Sequence, residues 1–322
     1  IRNQIEYSLE LSEVVYAAVN SGLQSVNCIF SPGQDETAFI RAARAELARR
    51  DLLPDEVRKV RDNMLRTGNA FGERIEPSVS GEGDAAFLFD AAARCLDPDA
   101  RGAVERILAK LNGSAYLVEV PSSGFLEFDL GFVGEARAAA EAVADRLARL
   151  HVKAVYTTDP TVAYALKVLY PEAFGIALPF RIGHVTEWLC EVLDREKPEL
   201  QPYEGVVTYH DPSEMARYLR LHDQPRKLLG AVPGLKLAEM RFNREQARPT
   251  GAKPGTLYRE EAKMLAKERM EEAKRTGARL LVTSSPYSRA NLAAVPDGLP
   301  VLDITEFFSL QLTGKKLDGQ LT

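Results

Sequence analysis

A chain of 322 residues, 45% apolar and 27% charged, has material for two hydrophobic cores, so two domains are expected from length alone. Its formal net charge of −5, with signs interspersed and no basic stripe, argues against nucleic acid as a partner, because phosphate backbones demand a basic face. The longest apolar runs, such as Leu280-Leu281-Val282 and Ala85 to Phe89, fall far short of the roughly 20 residues of a membrane helix. Any membrane link is therefore expected to run through a partner.

The start, Ile1-Arg2-Asn3-Gln4, lacks both Met and an apolar signal core. This predicts that a few residues are missing ahead of it, gives secretion no support, and places the protein in the cytoplasm, at most peripheral to a membrane complex. Residues 1–75 are helix-patterned through Phe39, Ile40 and Leu47, and Leu53-Pro54-Asp55-Glu56 reads as a helix start with Pro at its first position. From about Gly81, short apolar runs alternate with longer charged amphipathic segments, the signature of β-α-β units and a parallel sheet. Strands are predicted at 86–89, 115–119, 154–157, 206–209, 236–239, 280–283 and 301–302, and helices at 100–111, 135–150 and 257–276. Residues 171–203 read as a connector with a linker helix around Trp188, Leu189 and Val192, ended by the Pro-rich 198–202. The charged run Arg259 to Arg275 reads as a solvated helix face held by i to i+4 pairs. Gly81-Glu82-Gly83-Asp84 lacks the third glycine and the preceding strand of a phosphate loop, so no nucleotide site is expected.

Cys28, Cys95 and Cys190 are too far apart for a C-x-x-C pair, and each is expected to be a small buried apolar residue. His151, His184, His210 and His222 are scattered, with no H-x-x-x-H pair, so no zinc site is expected.

The α/β part is internally repeated. Gly124 and Gly251 are 127 residues apart, and Asp159 and Ser285 are 126 apart. In each copy a charged helix leads to a short strand and then to a Pro-containing turn, Asp159-Pro160 or Ser285-Pro286, that opens the next helix. A tandem duplication follows, with two similar lobes. Both copies also share one spacing. Asp90 is followed by Ser122-Ser123-Gly124 and then by Asp159-Pro160-Thr161-Val162; His210-Asp211-Pro212-Ser213 is followed by Pro249-Thr250-Gly251 and then by Ser285-Pro286-Tyr287-Ser288. The layout is that of C-x(n)-C-C-G-x(n)-C-x-x-C with the cysteines gone.

Val207-Thr208-Tyr209-His210-Asp211-Pro212, Gln224-Pro225-Arg226, Val232-Pro233-Gly234 and Leu281-Val282-Thr283 before Ser285-Pro286 resemble the CCG-domain (cysteine-rich domain) iron-sulfur proteins. These include heterodisulfide reductase subunits of the B and D types, the glycolate oxidase iron-sulfur subunit and the lactate-utilisation subunit. The resemblance implies an α/β fold of two tandemly duplicated parallel-sheet lobes, at 76–195 and 196–322, preceded at 1–75 by a small helical, degenerate ferredoxin-like region. Thr67-Gly68-Asn69-Ala70-Phe71-Gly72 resembles the segment that joins the two kinds of domain in that family. A C-x-x-C-x-x-C-x-x-x-C-P ferredoxin pattern would fall on Ser21, Gln24, Asn27 and Ser31-Pro32, with Cys28 out of register.

In that family the cysteines bind iron-sulfur clusters, and iron there needs soft, deprotonated thiolate. Carried over position by position, the cluster sites fall on Asp90, Ser122, Ser123, Asp159, Val162, Ser213, Pro249, Thr250, Ser285 and Ser288, none of which supplies a thiolate. No cluster, other cofactor or metal is therefore expected, and no catalytic residue. Two uses of the vestigial positions stay open. His210, Asp211 and the serines would fill the old sites with hydrogen bonds, Asp or Ser capping the next helix. Alternatively His210, Ser213, Ser285 and Ser288 would form an anion pocket at helix N-termini, with Arg248 or Arg289 nearby. A Ser-His-Asp triad from His210, Asp211 and Ser213 is set aside, because residues so close on one chain seldom reach triad geometry and no G-x-S-x-G elbow is present.

The expected function is a degenerate, cluster-free, heterodisulfide-reductase-like subunit, a structural or pseudo-redox component of a larger oxidoreductase complex whose partners are iron-sulfur or flavin proteins. The alternatives are a protein that uses the inter-lobe cleft for a small anionic ligand, and an electron-transfer subunit whose clusters a partner chain completes.

Overall fold

The computed structural model describes residues 6–27, 35–251, 253–257 and 259–315. Cys28, Ser31 and Pro32 of the ferredoxin-like pattern lie outside these residues. The helical region comprises α1 (Leu9–Ala17), α2 (Leu23–Asn27), α3 (Glu36–Arg49) and α4 (Asp55–Thr67). Asp35 starts α3 by accepting hydrogen bonds from the N–H groups of Thr37 and Ala38. Pro54 is the N-cap of α4 rather than its first helical residue, and Gly68, at φ 76°, ends it.

The first lobe runs through β1 (Ser78–Gly81), β2 (Ala85–Phe89), α5 (Ala91–Leu96), α6 (Ala100–Lys110), β3 (Tyr116–Glu119), α7 (Phe125–Asp129) and α8 (Val133–Ala148). It continues with β4 (Ala154–Thr157), α9 (Pro160–Tyr164) leading into a π-helical stretch (Ala165–Phe174), β5 (Arg181–His184) and α10 (Val185–Glu196). The second lobe follows with β6 (Gly205–His210), a short π-helical turn (Glu214–Tyr218), α11 (Asp223–Gly230), β7 (Leu235–Leu237) and α12 (Arg259–Lys274). It ends with β8 (Leu280–Thr283), α13 (Pro286–Ala293), β9 (Val301–Asp303) and α14 (Ile304–Thr313).

The sheet orders are β1-β3-β2-β4-β5 and β7-β6-β8-β9. Removing β1, which pairs antiparallel with β3, leaves the same all-parallel order in both lobes. The expected α/β class is therefore the one observed: two parallel-sheet lobes after a helical region. Two strands left no clear mark in the sequence. The segment expected as a connector holds β5, and β1 ends at Gly81, so the glycine stretch does follow a strand; that strand pairs on the sheet edge, away from β2.

Parallel strands covered on both faces read as continuous apolar runs, which is why Ala86 to Phe89 and Leu280 to Val282 are buried without alternation. One large core joins the lobes: Phe87, Leu189 and Ile107 pack in the same cluster as Val207, Tyr209, Phe307 and Leu312. A second core, with Leu88, Val118 and Tyr170, lies on the other face of the first sheet, and Met270, Leu281 and Leu292 fill the corresponding face of the second. The helical region docks through Tyr16, Leu47 and Val57 against Leu126, Leu130 and Phe132 of the first lobe and Leu257 of the second.

Candidate functional site

Most of the positions singled out by spacing follow the carboxyl ends of parallel strands, where open α/β sheets place their ligands, whereas Pro249 and Thr250 lie further on, in the loop between β7 and α12. In the first lobe, Asp90 follows β2, Ser122 to Gly124 follow β3, and Asp159 follows β4. Asp90 caps α5, accepting from Ala92 N at 3.0 Å and Ala93 N at 3.4 Å, and Ser123 Oγ donates to its other oxygen at 3.1 Å. Asp159 caps α9 by accepting from Thr161 N at 2.8 Å. Ser122 Oγ accepts from Gly124 N at 2.9 Å and donates to Glu127 Oε2 at 2.8 Å. Val162 is fully buried and brings no donor atom. Burial pushes the Asp90 and Asp159 carboxyls upward, Asp159 further through the adjacent charge of Asp90, and burial lifts Glu127 to about 7. The cavity bordered by Asp90, Ser122, Ser123 and Glu127 is about 20 Å³, room for roughly one water.

In the second lobe, His210 ends β6 and is buried. Its Nδ1 accepts from Arg269 Nε at 3.0 Å, so Nε2 carries the proton and faces Ser288 Oγ at 3.2 Å. Burial, then the charges of Arg269 and Arg217, hold the imidazole well below its ordinary pKa and therefore neutral. Thr250 Oγ1 donates to the same Ser288 hydroxyl at 3.4 Å. Arg217 donates to Ser213 Oγ at 2.6 Å. Ser213, Pro249, Thr250, Ser285 and Ser288 all border a cavity of about 50 Å³, together with Lys253 of the loop before α12 and Arg44 of α3.

The two lobes satisfy the spacing differently from expectation at several points. Asp211 caps no helix: Arg226 grips it with two nitrogens at 2.8 and 2.9 Å, and Arg244 N donates to it at 2.8 Å. Neither Ser213 nor Ser285 gives a side-chain cap. His210 does not border the cavity, because Arg269 and Ser288 take both its ring nitrogens. Arg248 stacks on Phe242 and pairs with Glu268, and Arg289 turns to Asp97 and Glu306; neither reaches the expected anion pocket. The charged helix is not wholly solvated, since Arg269 is 0% exposed, donating to His210 and to Glu272. Cys190 is buried as expected and burial lifts its thiol to about 11, but Cys95 is only half-buried.

Residues the spacing did not indicate complete the site. Asp129, at the end of α7, binds Arg41 at 3.0 Å, Arg44 at 3.1 Å and Asn20 at 2.7 Å, tying the helical region to the first lobe. Lys253 pairs with Glu214 and lies 4.9 Å from the Phe125 ring centre. Tyr287, on α13 of the second lobe, borders both cavities.

The donor set does not fit an iron-sulfur cluster. Oxygen is a hard donor, Val162 and Pro249 offer no side-chain donor, and most of the hydroxyl and carboxylate atoms are already spent on helix N–H groups or on each other. Among the described residues, no group of three or more His, Cys, Asp or Glu is arranged to hold a metal ion, and no helix is long and apolar enough to cross a membrane.

Residues 207–292 match the cysteine-rich domain, CCG. The chain is 32% identical over 168 residues to a Dihydromethanophenazine:CoB-CoM heterodisulfide reductase subunit, of the D type, from Methanosarcina acetivorans, covering 49% of this chain and 41% of that protein. It is 29% identical over 175 residues to Probable iron-sulfur-binding oxidoreductase FadF of Bacillus subtilis, covering 52% of this chain and 24% of that protein. The matches thus span less than half the length of these relatives. A hypothetical protein from Helicobacter pylori superposes with a TM-score of 0.65 over 97% of this chain and 66% of its own, at 12% identity, which shows a shared fold alone. The chain therefore carries a CCG cysteine-rich domain in its second lobe and is homologous to D-type heterodisulfide reductase subunits and to FadF-like iron-sulfur oxidoreductases.

Proposed function

We propose that this chain is a cluster-free, structural subunit of a larger iron-sulfur oxidoreductase complex, in which electron transfer belongs to iron-sulfur or flavin partner proteins. Homology to iron-sulfur oxidoreductase subunits supports an electron-transfer-related role. The observation that carries the finer reading is the reuse of the cluster positions. Asp90 and Asp159 cap α5 and α9, Ser123 bonds Asp90, and Ser288 bonds His210, so these side chains stabilise the strand ends on which a redox protein of this fold would hold its cluster. A chain that keeps this frame without thiolates keeps the shape of a redox subunit and hence the surfaces that its partners would recognise. By their names, one relative belongs to a heterodisulfide reductase and another to a fumarate reductase, each as one of several subunits, which supports assembly with other proteins. The test is affinity purification of the tagged full-length protein from its native host, with native mass and identification of what co-purifies. Stoichiometric recovery of iron-sulfur or flavin proteins is expected; a free monomer across lysis conditions overturns the assignment.

A further inference from the structure

The two lobes treat equivalent helix starts in opposite ways. At the start of α9, Asp159 presents a carboxylate oxygen to Thr161 N at 2.8 Å. At the matching start of α13, 126 residues later, Ser285 stands in its place and its hydroxyl makes no cap bond. Ser285 is 2% exposed, borders the 50 Å³ cavity, and has no hydrogen-bond partner for its side chain among the described residues. The N–H groups of Tyr287 and Ser288 open α13, where a helix has no internal acceptors for its first donors and concentrates positive potential. Pro286, at the first position, has no N–H to offer.

The carboxylates that border this cavity already have their counter-charges. Asp129 is paired with Arg44, and with Arg41 from outside the lining, and Glu214 is matched by Lys253, so neither adds uncompensated negative charge to the wall. Burial alone would raise the Asp129 carboxyl, but Arg41, Arg44 and Lys253 outweigh it and hold the group at about 2, so it stays charged and paired. The Ser288 and Thr250 hydroxyls add polar wall, and the volume suits roughly three to five waters or one small oxyanion.

We infer that the second-lobe cavity binds a small oxyanion, such as inorganic phosphate or a short carboxylate, at the start of α13, in the position that Asp159 fills with its own carboxylate in the first lobe. The Ser285 hydroxyl and the Tyr287 and Ser288 N–H groups would face it, with Lys253, paired with Glu214, on the same cavity wall. The site does not depend on the scaffold assignment, and partner recovery and anion binding succeed or fail separately.

The experiment is thermal unfolding of the full chain in millimolar inorganic phosphate, against chloride at matched ionic strength, with acetate as a second arm. Phosphate or acetate is expected to raise the midpoint by about 2–4 °C over chloride. Ser285→Asp, which supplies the missing carboxylate, is expected to remove that response, and Lys253→Gln to reduce it by at least half. A wild-type protein that responds to neither anion overturns the inference. So does a Ser285→Asp protein that keeps the full response; if that variant does not fold, an undiminished response in Lys253→Gln overturns it as well.

Discussion

Asp129 and Asp97 lie at two junctions of the molecule and are held on opposite sides of ionisation. Asp129 stays charged among Arg41, Arg44 and Asn20, so its contribution is present above the unfolded carboxylate range and is lost only as the pH falls through about 2. Asp129→Asn leaves two buried guanidinium groups short of their counter-charge and is expected to cost about 3–5 kcal/mol in urea unfolding, with the helical region loosened first in hydrogen exchange. A loss below about 1 kcal/mol would show that this junction is not held electrostatically. Asp97 is 1% exposed between the lobes, and burial and then the charge of Asp303 push it up to about 8; Asp303 itself is pushed to about 7, chiefly by burial. Arg289 is the cation facing this group, at 3.3 Å from Asp97 and 3.6 Å from Glu306, with Asp99 also adding negative charge. A carboxyl raised on folding stabilises most when it is protonated, so stability is expected to fall as the pH climbs from about 4 through about 8. Asp97→Asn, which mimics the neutral form, should flatten that slope in urea titrations at stepped pH; an unchanged slope would place the titration elsewhere. Asp90, Ser122, Ser123, Asp159 and the second-lobe set were legible because the duplicated spacing marks them. Asp129, Arg269 and Lys253 were not, because each matters through a contact across distant sequence, and a single charged residue in a charged helix or loop carries no mark of burial.

Elements were legible wherever burial wrote a pattern. The runs Ala86–Phe89 and Leu280–Thr283 are apolar because both sheet faces are covered, and α6, α8 and α12 showed as long amphipathic segments between them. Strand β5, Arg181-Ile182-Gly183-His184, was missed because it is short, polar at both ends and at the sheet edge, where pairing with β4 rather than apolar burial defines it. Strand β1 is exposed along most of its length and left no hydrophobic signal. Gly124 and Gly251 were marked by the repeat, and the structure supplies the reason. Both have positive φ, 80° and 101°, and a side chain at either would strike a backbone carbonyl in the first turns of a long helix: Ala136 O of α8, at 2.6 Å from a Gly124 Cβ, and Ala262 O of α12 in the second lobe. The glycine therefore lets the loop pack against α8 in the first lobe and α12 in the second. Gly124→Ala and Gly251→Ala are each expected to cost at least about 2 kcal/mol in chemical denaturation, combining left-handed strain with backbone displacement. A loss under about 0.5 kcal/mol at either position would mean that the turn rearranges freely.

At the scale of the whole molecule, the lobes are one packed body. Phe87 and Leu189 of the first lobe share a core with Val207 and Phe307 of the second, and Tyr287 reaches from α13 to the edge of the first-lobe cavity. The duplicated α/β layout could be read from the chain because the repeat preserves strand, turn and helix order at a nearly constant offset. The shared core and the docking of the helical region could not, because they depend on which faces meet. We propose that this frame persists without a metal, its ligand positions turned to capping and hydrogen bonding. The most direct measurement is iron and acid-labile sulfide per chain on anaerobically purified protein, with the visible absorption spectrum. The account predicts only trace iron and sulfide and no thiolate-to-iron absorption; a stoichiometric cluster would contradict it.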